Sequence, residues 1–366
     1  MNTKEGDSMA SFKEMCFTPA EFAMIAKIDR NLVPALESAG LLKTVKRRMG
    51  NVDRKMVTLE DMQEYFHKKR QAAAVAAATE PPMGTGAEAG VQPSELPAAA
   101  DVETVAAATG FIPGKPKYKT QMFYNVKGGT GKSTLTAQYV MRAAMMGYQV
   151  LAIDLDGQGH LSVNLDVLDG HERPTIYDVL INDLPIEQAI MSVAPGLDLI
   201  PANLGLCNIE IPLNNKTRRE YRLSEAIAKV SDRYDLIVAD TNPAASILNG
   251  SMLVASDLVN VVCATNPLSF HGMSLVMATI EEMEREFRRQ LTVKIVPNMY
   301  DNREVISQEV LGELRSQFAD CCTRAVINRT ADLNEATKRR TTVWDVSSKG
   351  TAAQDINALT EELVLG

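Results

Sequence analysis

From residue 120 onward, short and mainly apolar runs alternate with helical patterns. The runs are Met122–Tyr124, Val150–Ile153, Leu197–Pro201, Leu236–Ala239, Val259–Ala264 and Val293–Val296. Strands without polar alternation are buried on both faces, and their alternation with helices predicts an α/β fold: a doubly wound, mostly parallel sheet. Ligands of such sheets bind beyond the C-terminal ends of the strands. Residues 120–366 are read as this domain.

Residues 1–70 carry a different pattern. Thr18-Pro19-Ala20-Glu21 is a helix start, with Thr as N-cap, Pro at the first position and an acid in the first turn. Phe22, Ile25 and Ala26 then share an apolar face. Asp29 opens a second helix over Arg30–Ala39, with Leu32, Leu36 and Ala39 inward, and Gly40 ends it. Leu41–Met49 is basic, Gly50-Asn51-Val52-Asp53 is a turn, and Arg54–Val57 is a return strand. Thr58-Leu59-Glu60-Asp61 caps a third helix through about Arg70. This order predicts a small helical domain of winged helix-turn-helix or MerR-like type. Arg30 would stand at the start of the reading helix, and Lys46, Arg47 and Arg48 in the hairpin. A helical dimerisation module with a solvated basic edge is the alternative. Residues 71–119, rich in Ala, Pro and Gly, cannot bury a core and read as a linker, helical at its Ala-rich ends.

Charge sharpens the division. The chain of 366 residues carries a net −8, yet residues 1–70 hold 13 Lys/Arg against 10 Asp/Glu, a net of +3. That asymmetry favours nucleic acid as a partner of the N-terminal part. No apolar run approaches the ~20 residues of a membrane span, and the polar N-terminus, beginning at Met1 or Met9, lacks a signal-peptide core. Five cysteines, none at metal-ligand spacing, fit reduced thiols of a cytoplasmic protein.

The chemistry gathers at the strand ends. Met122–Tyr124 leads into Lys127-Gly128-Gly129-Thr130-Gly131-Lys132-Ser133, and Thr134 continues into a helix. Strand, glycine loop and helix make a phosphate cradle of backbone N–H groups, with Lys132 for the β- and γ-phosphates and Ser133 for Mg²⁺. Val150–Ile153 delivers Asp154 and Asp156, which share a face, and Leu236–Ala239 delivers Asp240, placed as a Walker B carboxylate.

The loop K-G-G-T-G-K-S resembles the deviant Walker A motif of the ParA/MinD family of ATPases. D-L-D-G-Q resembles the family's D-x-D-P-Q with Gly157 for Pro, a loosening of that loop. D-T-N-P-A from Asp240 is similar to D-T-P-P-[SA], and Pro267 and Phe270 match a post-strand segment near the ligand edge. N-M-Y-D-N-R from Asn298, L-N-E-A from Leu333 and S-K-G from Ser348 complete a likeness over about 120–366. The resemblance implies an ATPase with ATP and Mg²⁺ as cofactors, bound by Gly128, Gly129, Thr130, Gly131, Lys132, Ser133 and Thr134, with the metal at Ser133, Asp154 and Asp240. It gives Lys127 a role in the partner's site across an ATP-dependent homodimer, Asp156 the attacking water, and Asn298 the adenine. Lys338, Arg339 and Arg340 would meet DNA non-specifically. The layout is similar to the larger plasmid-partition ParA proteins with an N-terminal helix-turn-helix domain. It implies partitioning of plasmid or chromosomal DNA, a centromere-binding (ParB-type) or adaptor partner, and nucleoid association when ATP is bound. A cargo-positioning ATPase and an autoregulatory repressor are the alternatives. A MinD-like membrane role is disfavoured because residues 351–366 contain no Lys or Arg.

Overall fold

The computed structural model describes residues 12–49, 52–79 and 114–366. Met1 and Met9, the Gly50-Asn51 turn and residues 80–113 of the Ala/Pro/Gly-rich segment lie outside the described residues. The chain divides into two compact units, one built from the N-terminal elements and the other mainly from Lys115 to the C-terminus.

The N-terminal unit is a small α/β region: β1 (Cys16–Phe17), α1 (Pro19–Ile25), α2 (Val33–Ser38), β2 (Val45–Met49), β3 (Val52–Thr58) and α3 (Leu59–Thr79). Its sheet is antiparallel in the order β1-β3-β2. α1 begins in a capping box: the Thr18 hydroxyl accepts from Glu21 N–H, and the Glu21 carboxylate accepts from Thr18 N–H at 2.8 Å. Phe22, Ile25 and Ala26 are buried, and Phe22 meets Tyr65 of α3 edge-on.

Two expectations need correction. The unit is not purely helical, because Cys16–Phe17 adds a strand too short to show alternation. The second helix begins as a 3-10 turn over Arg30–Leu32. That turn shifts the phase of α2, so Val33 and Leu36 are buried while Ala39 is exposed. α3 runs nine residues past Arg70, to Thr79, through alanines of high helix propensity.

The C-terminal unit is an α/β fold on a seven-stranded sheet of β4 (Thr120–Tyr124), β5 (Val150–Asp154), β6 (Met191–Ala194), β7 (Leu197–Ile200), β8 (Leu236–Asp240), β9 (Leu258–Ala264) and β10 (Thr292–Asn298). The order is β10-β9-β4-β8-β5-β7-β6, parallel except where β6 turns back on β7. Every residue of β4, β5, β8 and β9 is buried, as strands covered on both faces require. β6 escapes the pattern because it is a four-residue edge strand of mixed exposure, joined to β7 through Pro195 and Gly196. β4 lies between β8 and β9, so the loop after it opens among several strand ends.

A buried glutamine ties this unit together. Gln121 Nε2 donates to the Tyr118 and Leu363 carbonyls, and its Oε1 accepts from Tyr139 OH and Asn260 Nδ2. It thereby joins β4, β9, the helix after the glycine loop and the C-terminal helix Thr351–Leu365. Gln121→Leu would strand two buried donors and two carbonyls. We expect a loss of about 3 kcal/mol in urea unfolding, since each unsatisfied buried group costs ~1–3 kcal/mol. Trp344, the chain's sole tryptophan, is buried in this unit and reports it by fluorescence.

Candidate nucleotide site

Both ends of the glycine loop are fastened to neighbouring strands. At its entry, Asn125 Nδ2 donates to the Val262 carbonyl of β9 at 2.8 Å, and Asn125 Oδ1 accepts from Lys127 N–H at 2.9 Å. At its exit, Asn298 at the end of β10 donates from Nδ2 to the Thr130 carbonyl at 2.7 Å. Gly131 sits at φ +87°, and a Cβ there would lie 2.4 Å from Asn298 Nδ2. Glycine is required on both counts.

The helix α4 (Lys132–Met145) starts directly after the loop. Lys132 is buried at its N-terminus, where Nζ donates to the Lys127 carbonyl at 3.2 Å. Burial depresses its pKa, while the nearby Asp240 and Asp156 carboxylates pull it back up. Gly128 and Gly129 are exposed, and Ser133 and Thr134 are half-buried. Thr130 is buried with an unpartnered hydroxyl. Lys127 is half-buried and forms no ion pair among the described residues.

Asp154 and Asp240 end neighbouring strands and face each other in register. Both are fully buried. Asp240 is pushed up to about 8, by desolvation first and the Asp154 charge second, against the Ser133 hydroxyl and Lys132. Desolvation raises Asp154 to about 6, and hydrogen bonds from Ser162 and Asp156 hold it down.

Their remaining partners distinguish them. Asp154 Oδ2 accepts from Ser162 N–H and Oγ–H at 2.8 and 2.7 Å, and Oδ1 from Asp156 N–H at 3.1 Å. Asp154 is thus committed to shaping its own loop, in contrast to the metal-ligand role that the family resemblance implies. Asp240 accepts from Thr136 Oγ at 3.4 Å on one oxygen, and its other oxygen is buried without a partner. An orphaned carboxylate oxygen beside the Ser133 hydroxyl and Lys132 fits a magnesium–triphosphate group. Ser133 and Asp240 would hold the metal side, and Lys132 with the loop N–H groups the phosphates. Asp156 is nearly buried, accepts from Gln158 N–H at 3.0 Å, and has His160 Nδ1 3.8 Å from its free oxygen.

The structure places Asn298 on the loop but occupies its carbonyl, which accepts from Met299 N–H at 2.9 Å. Beside it lies a cavity of about 150 Å³ whose wall includes Gly131, Thr134, Asn328 and Arg329. Sequence reasoning misses Asn328, because a lone Asn after Ile327 carries no recognisable spacing. Arg303 forms a two-pronged pair with Asp301 at 2.9 and 2.6 Å, so it serves local structure. Pro267 opens a short helix capped by Asn266, and Phe270 packs on the core.

The candidate DNA contacts are not brought to this site. Lys338 and Arg339 end the helix Ala331–Arg339 and both lie near Glu335, at 3.9 and 2.7 Å, and Arg340 is 3.7 Å from Asp166. In the N-terminal unit Arg30, Lys46, Arg47 and Arg48 are all exposed.

Gly157 is tightly packed, which overturns its reading as a loosened turn. A Cβ there would lie 2.5 Å from Cys207 Sγ and 3.0 Å from Cys207 N. Gly157→Ala should cost about 1–3 kcal/mol by overpacking and lower ATP turnover through Asp156. Adding Cys207→Ala should recover part of both losses in thermal melts and phosphate release. Lack of recovery would assign the constraint to the Cys207 backbone instead of its sulfur.

A family model described as an AAA domain matches residues 118–293. The cell division protein PomZ of Myxococcus xanthus is 31% identical over 287 residues, covering 75% of this chain and 89% of PomZ. The chromosome partitioning protein ParA of Caulobacter vibrioides is 34% identical over 216 residues, covering 58% and 81%. Cobyrinic acid a,c-diamide synthase of Mycobacterium smegmatis, solved with an ATP analogue and magnesium, superposes with a TM-score of 0.56 at 27% identity, over 61% of this chain and 91% of that one. The chain belongs to the ParA/MinD/Soj family, as a partition- or positioning-type ATPase that binds ATP with magnesium.

Proposed function

We propose that this ATPase is a nucleotide-gated, DNA-bound partition switch. The observation that carries the reading is Lys127: a lysine without an ion pair among the described residues, its N–H anchored by Asn125 at 2.9 Å, on a loop that already offers a buried lysine, Lys132, to a phosphate. A second cation there serves a second nucleotide, so ATP joins two copies face to face. Asp156 orients the attacking water. Ser133 and Asp240 would hold magnesium, which when bound would supply positive charge toward the developing phosphate oxygens. A partner protein, of centromere-binding or adaptor type, completes the assembly and speeds hydrolysis. The nine-residue helix that ends in Lys338 and Arg339 supplies non-specific DNA contacts.

The N-terminal unit is proposed as a second DNA contact of winged helix-turn-helix type. β2 and β3 put Lys46 opposite Lys55 and Arg47 opposite Arg54. Like charges facing across strands are unfavourable, and a polyanion along the hairpin relieves them. α2 itself carries no Lys or Arg, so the hairpin supplies most of the charge.

Positioning of a cell-division or other protein cargo is the second reading. It is favoured by the match to a cell division protein over 75% of this chain, against 58% for the chromosome-partitioning relative.

Light scattering should show wild type dimerising with ATP and Lys127→Ala remaining a monomer; equal dimerisation would remove the trans role. DNA binding should rise with ATP over ADP. Lys338→Ala/Arg339→Ala should abolish that rise, while Lys46→Ala/Arg47→Ala/Arg54→Ala weakens binding about tenfold in all nucleotide states and flattens its salt dependence. Equal binding by wild type in every nucleotide state would reject the gate.

A further inference from the structure

The cavity beside the glycine loop begins at Gly131, next to Lys132 in the chain, and Asn328 lies on its wall. The orientation of Asn328 is not free. Its backbone N–H donates to Asp355 Oδ2 at 2.8 Å, and its side-chain Nδ2 donates to the same oxygen at 2.9 Å. A carboxylate only accepts, so the amide nitrogen is tied to it and the amide cannot flip. The surrounding chain is held as well: Arg329 N–H donates to the Tyr300 carbonyl at 2.8 Å, and Tyr300 N–H to the Ile327 carbonyl at 3.0 Å. The Asn328 oxygen is the group left for the cavity. Asn298, on the same wall, has its carbonyl taken by its own main chain. Asn334, also on the wall, is exposed.

We propose that Asn328, oriented by Asp355, is the residue that selects adenine, its fixed carbonyl oxygen accepting from the exocyclic amino group of the base. Guanine and hypoxanthine present an oxygen at that position. Two acceptors would then face each other, and a buried acceptor left unpaired is penalised more than a good hydrogen bond gains. Asp355 is a positioning residue: it touches no nucleotide, and acts by deciding which end of the amide faces the cavity. This inference rests on the reading of the cavity as the nucleoside end of the ATP site.

The test is competition of ATP and of inosine triphosphate against a fluorescent ATP analogue, with magnesium and the full chain. Wild type should prefer ATP by about tenfold or more, the value of one good hydrogen bond. Asn328→Ala should bring the two within about threefold by weakening ATP. Asp355→Ala should narrow the ratio from the other side, by admitting inosine triphosphate as the freed amide turns its N–H₂ inward. Asp355→Asn keeps an acceptor and should retain the wild-type ratio. An unchanged ratio in Asn328→Ala, with Trp344 fluorescence unaltered, overturns the assignment, and so does a wild type that fails to discriminate. Loss of all nucleotide binding in Lys132→Ala, alongside an unchanged ratio in Asn328→Ala, would leave the ATP site standing and reject only its base reader. Wild type without nucleotide binding would reject both.

Discussion

Two carboxylates buried side by side at the ends of adjacent parallel strands set the terms for the whole site. Asp154 and Asp240 are in register because β5 and β8 are neighbours. Removing both from water is costly, and their mutual repulsion adds to the cost. Asp154 meets it with three hydrogen bonds from its own loop, which hold residues 154–162 in shape and so fix Asp156. Asp240 has less help, and is pushed up to about 8 with one oxygen bare. Cationic Lys132, buried at the head of α4, is the near counterweight. At the proposed site, Asp240 would meet the positive charge of a magnesium–nucleotide complex and Lys132 its negative charge. Binding would then relieve an electrostatic cost that folding alone leaves in place.

Much of this is legible in the sequence because chemistry and periodicity coincide there. The apolar runs ending in Asp154 and Asp240 reveal both the strands and the acids, and K-G-G-T-G-K-S reveals the loop between strand and helix. The features that escape are decided by packing partners distant along the chain. No local signal says that Asp154 will spend both oxygens on Ser162 and Asp156, or that Asn298 will brace Thr130. Gly157 reads as a loosened proline position, but its space is set by Cys207, fifty residues away. Ala39 faces solvent because a 3-10 turn precedes α2, a phase change that a 3.6-residue pattern does not register. β6 is an edge strand whose half-exposed residues carry no run to detect.

The charged surfaces also divide by a physical criterion that the sequence alone does not provide. Lys338, Arg339 and Arg340 each lie beside an acid, so any gain on meeting phosphate is reduced by the loss of those pairs. Exposed pairs of this kind are worth little, which makes them easily exchanged. The hairpin Val45–Thr58 is different: its register sets Lys46 against Lys55 and Arg47 against Arg54, and of these Lys55 is met by Glu37. It has the stronger standing electrostatic reason to seek an anion.

A single helix links the nucleotide cavity to the C-terminal basic end. Ala331–Arg339 opens with Leu333 and Asn334 on the cavity wall and closes with Lys338 and Arg339. At 1.5 Å per residue it is about 13 Å long, capped at its start by Thr330 and ended by Arg340 in the left-handed region. An element this short moves as a rigid body. Under the proposed function, a displacement of Leu333 by a nucleoside would reach Lys338 without passing through the sheet. Coupling between ATP and a polyanion would then need no long chain of contacts, only a tilt of one helix whose two ends carry the two proposed surfaces.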